Sequence, residues 1–251
     1  MCTLTFVPTE DGYVAGMNRD EKRARPPAFF PQRFEFPGSD AIYPHEASGG
    51  TWIACNTYGN LLALLNWNDV RLHSMPAGQL SRGALIPELL PAANDLAHVS
   101  ERYGQLDLAK FMPFRLIGFF FQESVINEWR WDGLLRHELQ FAWQRMHWFS
   151  SSISDALARR NRGRTCARAA KQSSAEPVSS VRSLHASHDP SPGPFSVCVH
   201  RKDAVTVSYT EVSCNGTEIS MAYRHGSPCL ANSFDSEMSL ARRFPCPSSD
   251  G

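Results

Sequence analysis

The sequence lacks the features that mark several large protein classes. It has 251 residues but no apolar run near the ~20 residues that a membrane-spanning helix needs. Its 25 basic and 25 acidic residues cancel, so no net charge draws it to nucleic acid or to an anionic membrane. The start also lacks the basic residue and long apolar stretch of a secretory signal. We therefore expect a cytoplasmic protein with no transmembrane segment and no nucleic-acid partner.

Paired cysteine motifs are missing as well. The seven cysteines are odd in number, are scattered along the chain and form no C-x-x-C pair. A disulfide framework or a zinc site is therefore not predicted. His185 and His188 are close together in the sequence, but their surroundings offer only Asp189 as a further ligand. We expect no metal and no cofactor.

The most informative residue that is present is Cys2. A start methionine followed by a residue as small as cysteine is normally removed, which would leave Cys2 with a free α-amino group beside its own thiol. A thiol attacks as its thiolate and needs a base to take the proton. An α-amine with a pKa of ~7.7–8.0 can be that base near neutral pH. The bland alternative is a small buried residue in a first strand.

The residues after Cys2 predict a β-hairpin. Apolar residues alternate with threonines over residues 3–6, as in a strand with one buried face. Asp11-Gly12 is a hairpin turn signal. The returning strand would bring the polar run 18–21 to the level of Cys2. That run is either a solvated strand end or part of a site around the thiol, and we favour the site.

The rest of the chain predicts mixed α and β structure. Residues 22–48 contain five prolines and are predicted as an irregular loop, because proline interrupts helices and strands. Residues 171–194 are rich in serine, proline and histidine and are predicted as a mobile loop. We expect one domain over residues 1–240 and a disordered tail over residues 241–251. Regular elements are expected near residues 51–66 (hairpin), 81–103 (helices), 114–121 and 125–131 (strands), 152–164 (helix), and 196–200, 204–212 and 218–223 (strands).

Residues 111–149 are unusually dense in aromatic side chains. Such a segment can line a pocket for an apolar ligand such as an acyl chain or haem. The alternative, which we favour for most of the segment, is that the rings fill the space between sheets and helices. Trp129 and Trp131 share one strand face and are the candidates for a pocket.

The polar run Asn18-Arg19-Asp20-Glu21 after a Met-Cys-Thr start resembles the NRDE family, whose eukaryotic members are called transport and Golgi organisation proteins. The likeness extends over roughly residues 1–230 and includes residues 49–54, Asn56, Gly59, 64–66, 199–204 and 206–212. The family resembles a branch of the N-terminal nucleophile hydrolases. The resemblance therefore implies an α+β fold, a four-layer αββα sandwich of two antiparallel sheets, in which the first residue attacks an amide.

The conjugated-bile-acid and penicillin V acylases are the enzymes of that superfamily that this chain resembles. The resemblance implies that Cys2 is the nucleophile, that Asp20 hydrogen-bonds near its amine, and that Asn66 donates to the oxyanion. The acylase arginine position falls on Met17, and this chain offers Arg19 instead. Whether Arg19 faces Cys2 depends on the register of the second strand.

Two functions remain open. The first is hydrolysis of a C–N amide or thioester bond of a small molecule by Cys2, Asp20, Asn66 and Arg19. The second is non-catalytic binding or trafficking of an apolar cargo, such as haem or acyl-CoA and other lipids, to which family members have been linked. Contacts with the substrate are expected from Asn18, Asn56, Trp129 and Trp131.

Overall fold

A computed structural model describes residues 2–72, 75–172 and 176–243. These residues form two antiparallel sheets packed face to face, with helices against the outer face of each sheet. The αββα sandwich that the resemblance implied is confirmed. Within the described residues, no helix combines the length and apolarity needed to cross a membrane.

The strands and helices of the described residues are numbered in chain order. The strands are β1 (Cys2–Pro8), β2 (Tyr13–Lys22), β3 (Phe29–Phe36), β4 (Ser39–His45), β5 (Ile53–Asn56), β6 (Leu61–Asn66), β7 (Phe114–Phe120), β8 (Val125–Trp131), β9 (Arg136–Ala142), β10 (Met146–Ser150), β11 (Ala204–Cys214), β12 (Glu218–His225) and β13 (Ser236–Ala241). The α-helices are α1 (Leu85–Leu89), α2 (Leu96–Gln105), α3 (Asp155–Gln172) and α4 (Pro177–His185).

The two sheets differ in how the chain builds them. The first sheet has the order β10-β1-β2-β11-β12-β13, so it joins the start of the chain to its C-terminal third. The second sheet runs β3 to β9 in chain order. The hairpins predicted at residues 2–20 and 51–66 are both present, the second turning at Gly59, whose φ of 81° suits glycine. Among the described residues, the first sheet therefore pairs strands that are not consecutive in the chain, whereas the second does not.

Alternation along β1 and β2 supplies the core between the sheets. Leu4, Phe6, Tyr13 and Met17 all face this core and are fully buried. The ring of Phe6 stacks on Phe119 of the second sheet, with ring centroids 4.6 Å apart. Burial of such side chains removes apolar surface from water and holds the two sheets together.

Helix α4 lies directly against β2 because Gly16 has no side chain. A Cβ at Gly16 would be 2.6 Å from Val181 Cγ1 and 3.0 Å from the ring of His185. Any larger residue would push the helix off the sheet, so this position determines how closely the outer helix packs.

The prediction of an irregular loop over residues 22–48 is wrong. The segment contains β3 and β4, because its prolines occupy positions that a sheet tolerates. Pro31 lies in an edge strand at a register shift, and Pro44 lies beyond the residues of β4 that pair with β5.

The prediction of a loop over residues 171–194 is also wrong in part. The segment contains the end of α3 and all of α4, which begins with Pro177 and is capped by the Glu176 carboxylate. Its mobility stays a prediction. The strand predicted at 196–200 forms only isolated bridges, and β13 was not predicted.

The predicted disordered tail begins too early. Ala241 ends β13, and the Arg242 guanidinium lies 4.1 Å from the ring centroid of Phe121. Residues 244–251 lie outside the described residues.

Replacing Phe6 by alanine should test the packing between the sheets. We expect Phe6→Ala to lower the free energy of unfolding by ~3–5 kcal/mol, since it leaves a cavity in a fully buried core. Leu134→Ala is the control, because Leu134 is 79% exposed and its loss should cost under ~0.5 kcal/mol. Urea unfolding curves measure both. Equal effects of the two substitutions would contradict this packing.

Candidate functional site

Cys2 and Arg19 face the same cavity. Cys2 is the first residue of β1 and pairs with Arg19 of β2 on one side and with Ser150 of β10 on the other. Side chains of directly paired strand residues lie on one face of a sheet. Arg19 therefore lies beside the thiol, on the face between the sheets, and Asp20 lies on the opposite face.

The cavity beside Cys2 has a volume of about 380 Å³. Strands β1, β2 and β6 line it together with the chain segments around residues 46–52 and 79–83. Asn66 is the last residue of β6 and belongs to this lining. Of the four residues predicted as catalytic, Cys2, Arg19 and Asn66 thus meet in one cavity. The other polar lining residues are Glu21, Arg25, Glu46, Thr51, Gln79, Ser81 and Arg82.

Arg19 is held firmly in the cavity wall. Its guanidinium carbon lies 4.1 Å from the centroid of the Trp52 ring, a cation–π contact. It also forms an ion pair with Glu46, and a carboxylate oxygen of Glu21 is 3.9 Å away. Arg25 donates to the same Glu46 carboxylate at 2.7 Å. The cation is therefore fixed beside Cys2 by an aromatic face and two carboxylates.

The surroundings of Cys2 favour the protonated thiol. Burial raises the pKa of the thiol, and the positive charges of the chain's amino terminus and of Arg19 lower it by less. The carboxylates of Asp20 and Glu21 also raise this pKa. Because attack requires the thiolate, chemistry at Cys2 needs a base near the sulfur.

Asp20 lies beneath the site in a buried ion pair with Arg162 of α3. The two side chains are fully buried, with Arg162 Nη2 3.4 Å from Asp20 Oδ2. The Thr206 hydroxyl donates to Asp20 Oδ1 at 2.6 Å. Burial raises the pKa of Asp20, while Arg162 and the Thr206 hydrogen bond lower it.

Arg162 also holds the backbone of Cys2. Its Nη1 donates to the Cys2 carbonyl oxygen at 3.2 Å and to Thr3 Oγ1 at 2.9 Å. The sequence predicted a helix near residues 152–164 but gave Arg162 no role. A signal was available: Ala158 and Cys166, one turn on either side, are small or apolar and place position 162 on the buried stripe of the helix.

Asn18 and Asn56, predicted to contact the substrate, are structural. The Asn18 amide faces the helix layer and donates to the carbonyl oxygens of His185 and Val197, each at 2.9 Å. Asn56 lies at the far end of β5, where its oxygen caps the turn that follows and its amide donates to Ala93 O at 2.7 Å. Neither residue lines the cavity of Cys2, and both amide nitrogens donate to buried backbone carbonyl groups instead.

Trp129 and Trp131 do not line the cavity of Cys2 either. Both are buried in the core between the second sheet and helices α1 and α2. The Trp131 indole donates to Phe111 O at 3.1 Å. The alternative that the aromatic segment fills space between layers is correct for these two residues.

A second, larger cavity adjoins the first. It has a volume of about 530 Å³, and Arg19, Glu21 and Arg25 border both cavities. Much of its remaining wall is apolar, formed by Pro26, Pro27, Ala28, Val205, Val207, Tyr223 and Leu230. The two cavities share these three residues as a wall, and the first has a polar lining at Cys2 whereas the second has a more apolar one.

The sequence pattern of one protein family, Transport and Golgi organisation 2, matches residues 1–213. The chain belongs to this family. The match covers Cys2, the polar run 18–21 and Asn66. Of these residues, Cys2, Arg19, Glu21 and Asn66 border the first cavity. No curated protein sequence matches the chain.

This member of the Transport and Golgi organisation 2 family is similar in fold to several solved structures. It is similar to the C2A mutant of conjugated bile acid hydrolase from Clostridium perfringens at 9% identity and a TM-score of 0.53, over 96% of this chain and 92% of that one. It is also similar to penicillin V acylase from Agrobacterium tumefaciens at 12% identity and a TM-score of 0.46, over 90% and 86% of the two chains. The fold is that of the N-terminal nucleophile hydrolases.

Replacing Arg162, the cation beneath Cys2, should change how the stability of the protein depends on pH. We expect Arg162→Met to lower the free energy of unfolding by ~3–5 kcal/mol near neutral pH, because Asp20 is left as a buried, uncompensated charge. The pKa of Asp20 then rises further, so the folded variant takes up a proton more readily than its unfolded chain. Its stability deficit should therefore shrink as pH falls from about 7 to about 5.

The control for this pH effect is the double variant Asp20→Asn/Arg162→Met. Without the carboxylate, its deficit relative to wild type should not shrink in this way. Thermal unfolding across the pH series measures both variants. A deficit in Arg162→Met that stays constant with pH would contradict the charge-pair account.

Proposed function

We propose that this chain is a hydrolase with an N-terminal cysteine nucleophile, acting on a C–N amide or a thioester bond of a small molecule. One observation carries the proposal: Cys2, Arg19 and Asn66 border a single cavity in a fold of the N-terminal nucleophile type. The cavity of about 380 Å³ is within the usual size of small-molecule sites.

The proposed chemistry begins with removal of Met1, which frees the Cys2 amine as a base. The amine accepts the thiol proton, and the thiolate attacks the substrate carbonyl carbon. The Asn66 amide donates to the oxyanion that forms. The leaving amine or thiol departs with the proton, and water then hydrolyses the thioester between Cys2 and the acyl group, which restores the thiol.

Asp20 and Arg162 take a positioning role in this proposal. Arg162 donates to the Cys2 carbonyl, and Asp20 fixes Arg162 through their buried ion pair. Neither side chain faces the cavity. They support the mechanism by fixing the backbone of the nucleophile, which preserves the geometry of attack.

The lining supports a polar substrate at the Cys2 end. Arginine, glutamate, threonine, serine and amide side chains dominate the wall. Arg19 and Arg25 share Glu46, and Arg82 donates to Pro113 O at 3.0 Å, so the positive charges are already placed. A small acyl group with an anionic or hydrogen-bonding substituent fits such a wall better than a long alkyl chain does.

The larger cavity favours a second candidate, the binding of an apolar cargo such as haem or an acyl-CoA. Its wall includes Pro27, Val207 and Leu230, and Arg23 and Arg25 border it where an anionic group of the cargo would be held. This role does not require the Cys2 thiol.

A panel of amides and thioesters tests the enzyme. For any substrate that is cleaved, Cys2→Ala should abolish turnover, and Asn66→Ala should lower kcat about 10²- to 10³-fold through loss of an oxyanion donor. Cys214→Ala is the matched control, because Cys214 is also buried but lies at the opposite end of the sheet, paired with Tyr13. It should retain activity.

The same variants separate the two candidates. Turnover that persists in Cys2→Ala would eliminate the nucleophile. Binding of haem or an acyl-CoA with equal affinity to wild type and Cys2→Ser, together with no cleavage of any panel member, would support the cargo role instead.

A further inference from the structure

Four side chains with metal-binding atoms converge outside the cavity that holds Cys2, and one of them, His200, also borders the larger cavity. They are His188, Cys198, His200 and Cys229, and one ligand atom from each lies within 4.8 Å of the other three. Three separate segments contribute them: the residues after α4, the extended segment before β11, and a one-turn helix at 228–230. The mechanism proposed for Cys2 uses none of these groups.

The distances match a tetrahedral site. His200 Nε2 is 3.3 Å from Cys229 Sγ and 3.6 Å from Cys198 Sγ. Around a tetrahedral zinc ion with bonds of ~2.0–2.3 Å, neighbouring ligand atoms are ~3.3–3.8 Å apart. The rings of His188 and His200 have centroids 4.8 Å apart, at an interplanar angle of 74°. Two imidazoles and two thiols therefore surround one point at close to ligand spacing.

A second observation points to a bound ion. His188 Nε2 is buried, and among the described residues it has no hydrogen-bond partner. A buried nitrogen without a partner is costly, by ~1–3 kcal/mol. A metal ion at the centre of the cluster would use this nitrogen's lone pair.

The three segments are fixed in place without the ion. Cys198 N donates to Ser187 O at 3.0 Å, which ties the His188 segment to the Cys198 segment. Thr206 of β11 accepts from Val199 N at 2.8 Å through its hydroxyl and from Ser227 Oγ at 2.8 Å through its carbonyl. Thr206, which also donates to Asp20, thus joins two of the segments at the start of β11.

We propose that His188, Cys198, His200 and Cys229 bind one Zn²⁺ ion in a four-coordinate structural site. Two sulfur and two nitrogen ligands in a tetrahedral arrangement select zinc among the common divalent ions. Binding replaces the two thiol protons, which are released to solvent, so that the ion and two thiolates are together neutral. The ion would bind the segment after α4 and the turn at 228–230 to the sheet that carries Asp20.

The sequence predicted no metal because these ligands form no recognised zinc motif. Only Cys198 and His200 are near each other in the sequence, and the fold brings His188 and Cys229 to them.

Zinc analysis of the full-length chain tests the proposal directly. The protein is purified under reducing conditions, stripped with a chelator, reloaded with Zn²⁺ and desalted. Its zinc content is then measured by inductively coupled plasma mass spectrometry. We expect about one zinc per chain. With Co²⁺ as the probe, we expect the intense visible absorption of a tetrahedral thiolate site.

The variants separate this site from adventitious binding. Cys229→Ser and Cys198→Ser should lose stoichiometric zinc and the thiolate-to-cobalt absorption. Cys214→Ser, another free cysteine of the first sheet, should keep both. Added zinc should raise the Tm of wild type and Cys214→Ser but not that of Cys229→Ser, a comparison within each protein that does not depend on equal starting stability.

Three results would overturn the proposal. The first is the absence of stoichiometric zinc in the reduced, reloaded wild type. The second is retention of zinc by a folded Cys198→Ser/Cys229→Ser variant. The third is quantitative recovery of a Cys198–Cys229 disulfide in protein freshly isolated under anaerobic conditions. None of these results bears on hydrolysis at Cys2.

Discussion

The pairing of Cys2 with Arg19 across β1 and β2 determines the chemistry open to this protein. In this register both side chains lie on the face between the sheets, so the thiol and a fixed cation border one cavity with Asn66. A slip of one residue would turn Arg19 to the helix side and bring Asp20 beside the thiol. The buried apolar residues of β2 hold the register, since the same slip would turn Tyr13 and Met17 out of the core between the sheets.

A buried charge pair supports that hairpin from the other side. Arg162 reaches from α3 to Asp20 of β2 and to the backbone of Cys2 in β1, so one guanidinium joins the helix to both strands. Such a pair contributes little net stability, because both charges must be removed from water. Loss of one partner is strongly destabilising, since the other charge is then left buried and unpaired. Thr206 extends the same network from Asp20 to the segment that carries Cys198. The site and the proposed zinc cluster therefore share one polar framework.

Local patterns in the sequence predicted the parts of the fold that local physics determines. Alternation and turn residues were enough for the β1–β2 and β5–β6 hairpins, and the family resemblance supplied the four layers. Prolines misled at β3, because an edge strand with a register shift accepts Pro31. Composition misled at α4, whose few apolar residues are enough because Val181 and His185 pack directly against Gly16 of β2.

The residues of the candidate site likewise fall into those that the sequence identified and those that it could not. Cys2 and Asn66 could be identified from the sequence, because each begins or ends a strand within a motif that resembles the family. Arg162 and the cluster around His200 could not, because their partners lie far away in the chain and only the packed sheets bring them together. Asn18 and Asn56 carry polar side chains in the same motifs, yet they serve buried backbone groups. The motif therefore located the site, but it did not distinguish the residues that border the cavity from those that bind buried backbone groups around it.

Intact-protein mass spectrometry with brief thiol alkylation tests the central claim most directly. The chain is treated across a pH series, with Cys2→Ala as the control. We expect Met1 to be absent and Cys2 to be modified rapidly near neutral pH, because its freed α-amine takes the thiol proton. Burial raises the pKa of the Cys55, Cys166 and Cys214 thiols, which have no such amine, and they should react slowly. Retention of Met1, or a Cys2 that reacts no faster than an ordinary thiol with a pKa of ~8.5, would contradict an N-terminal nucleophile.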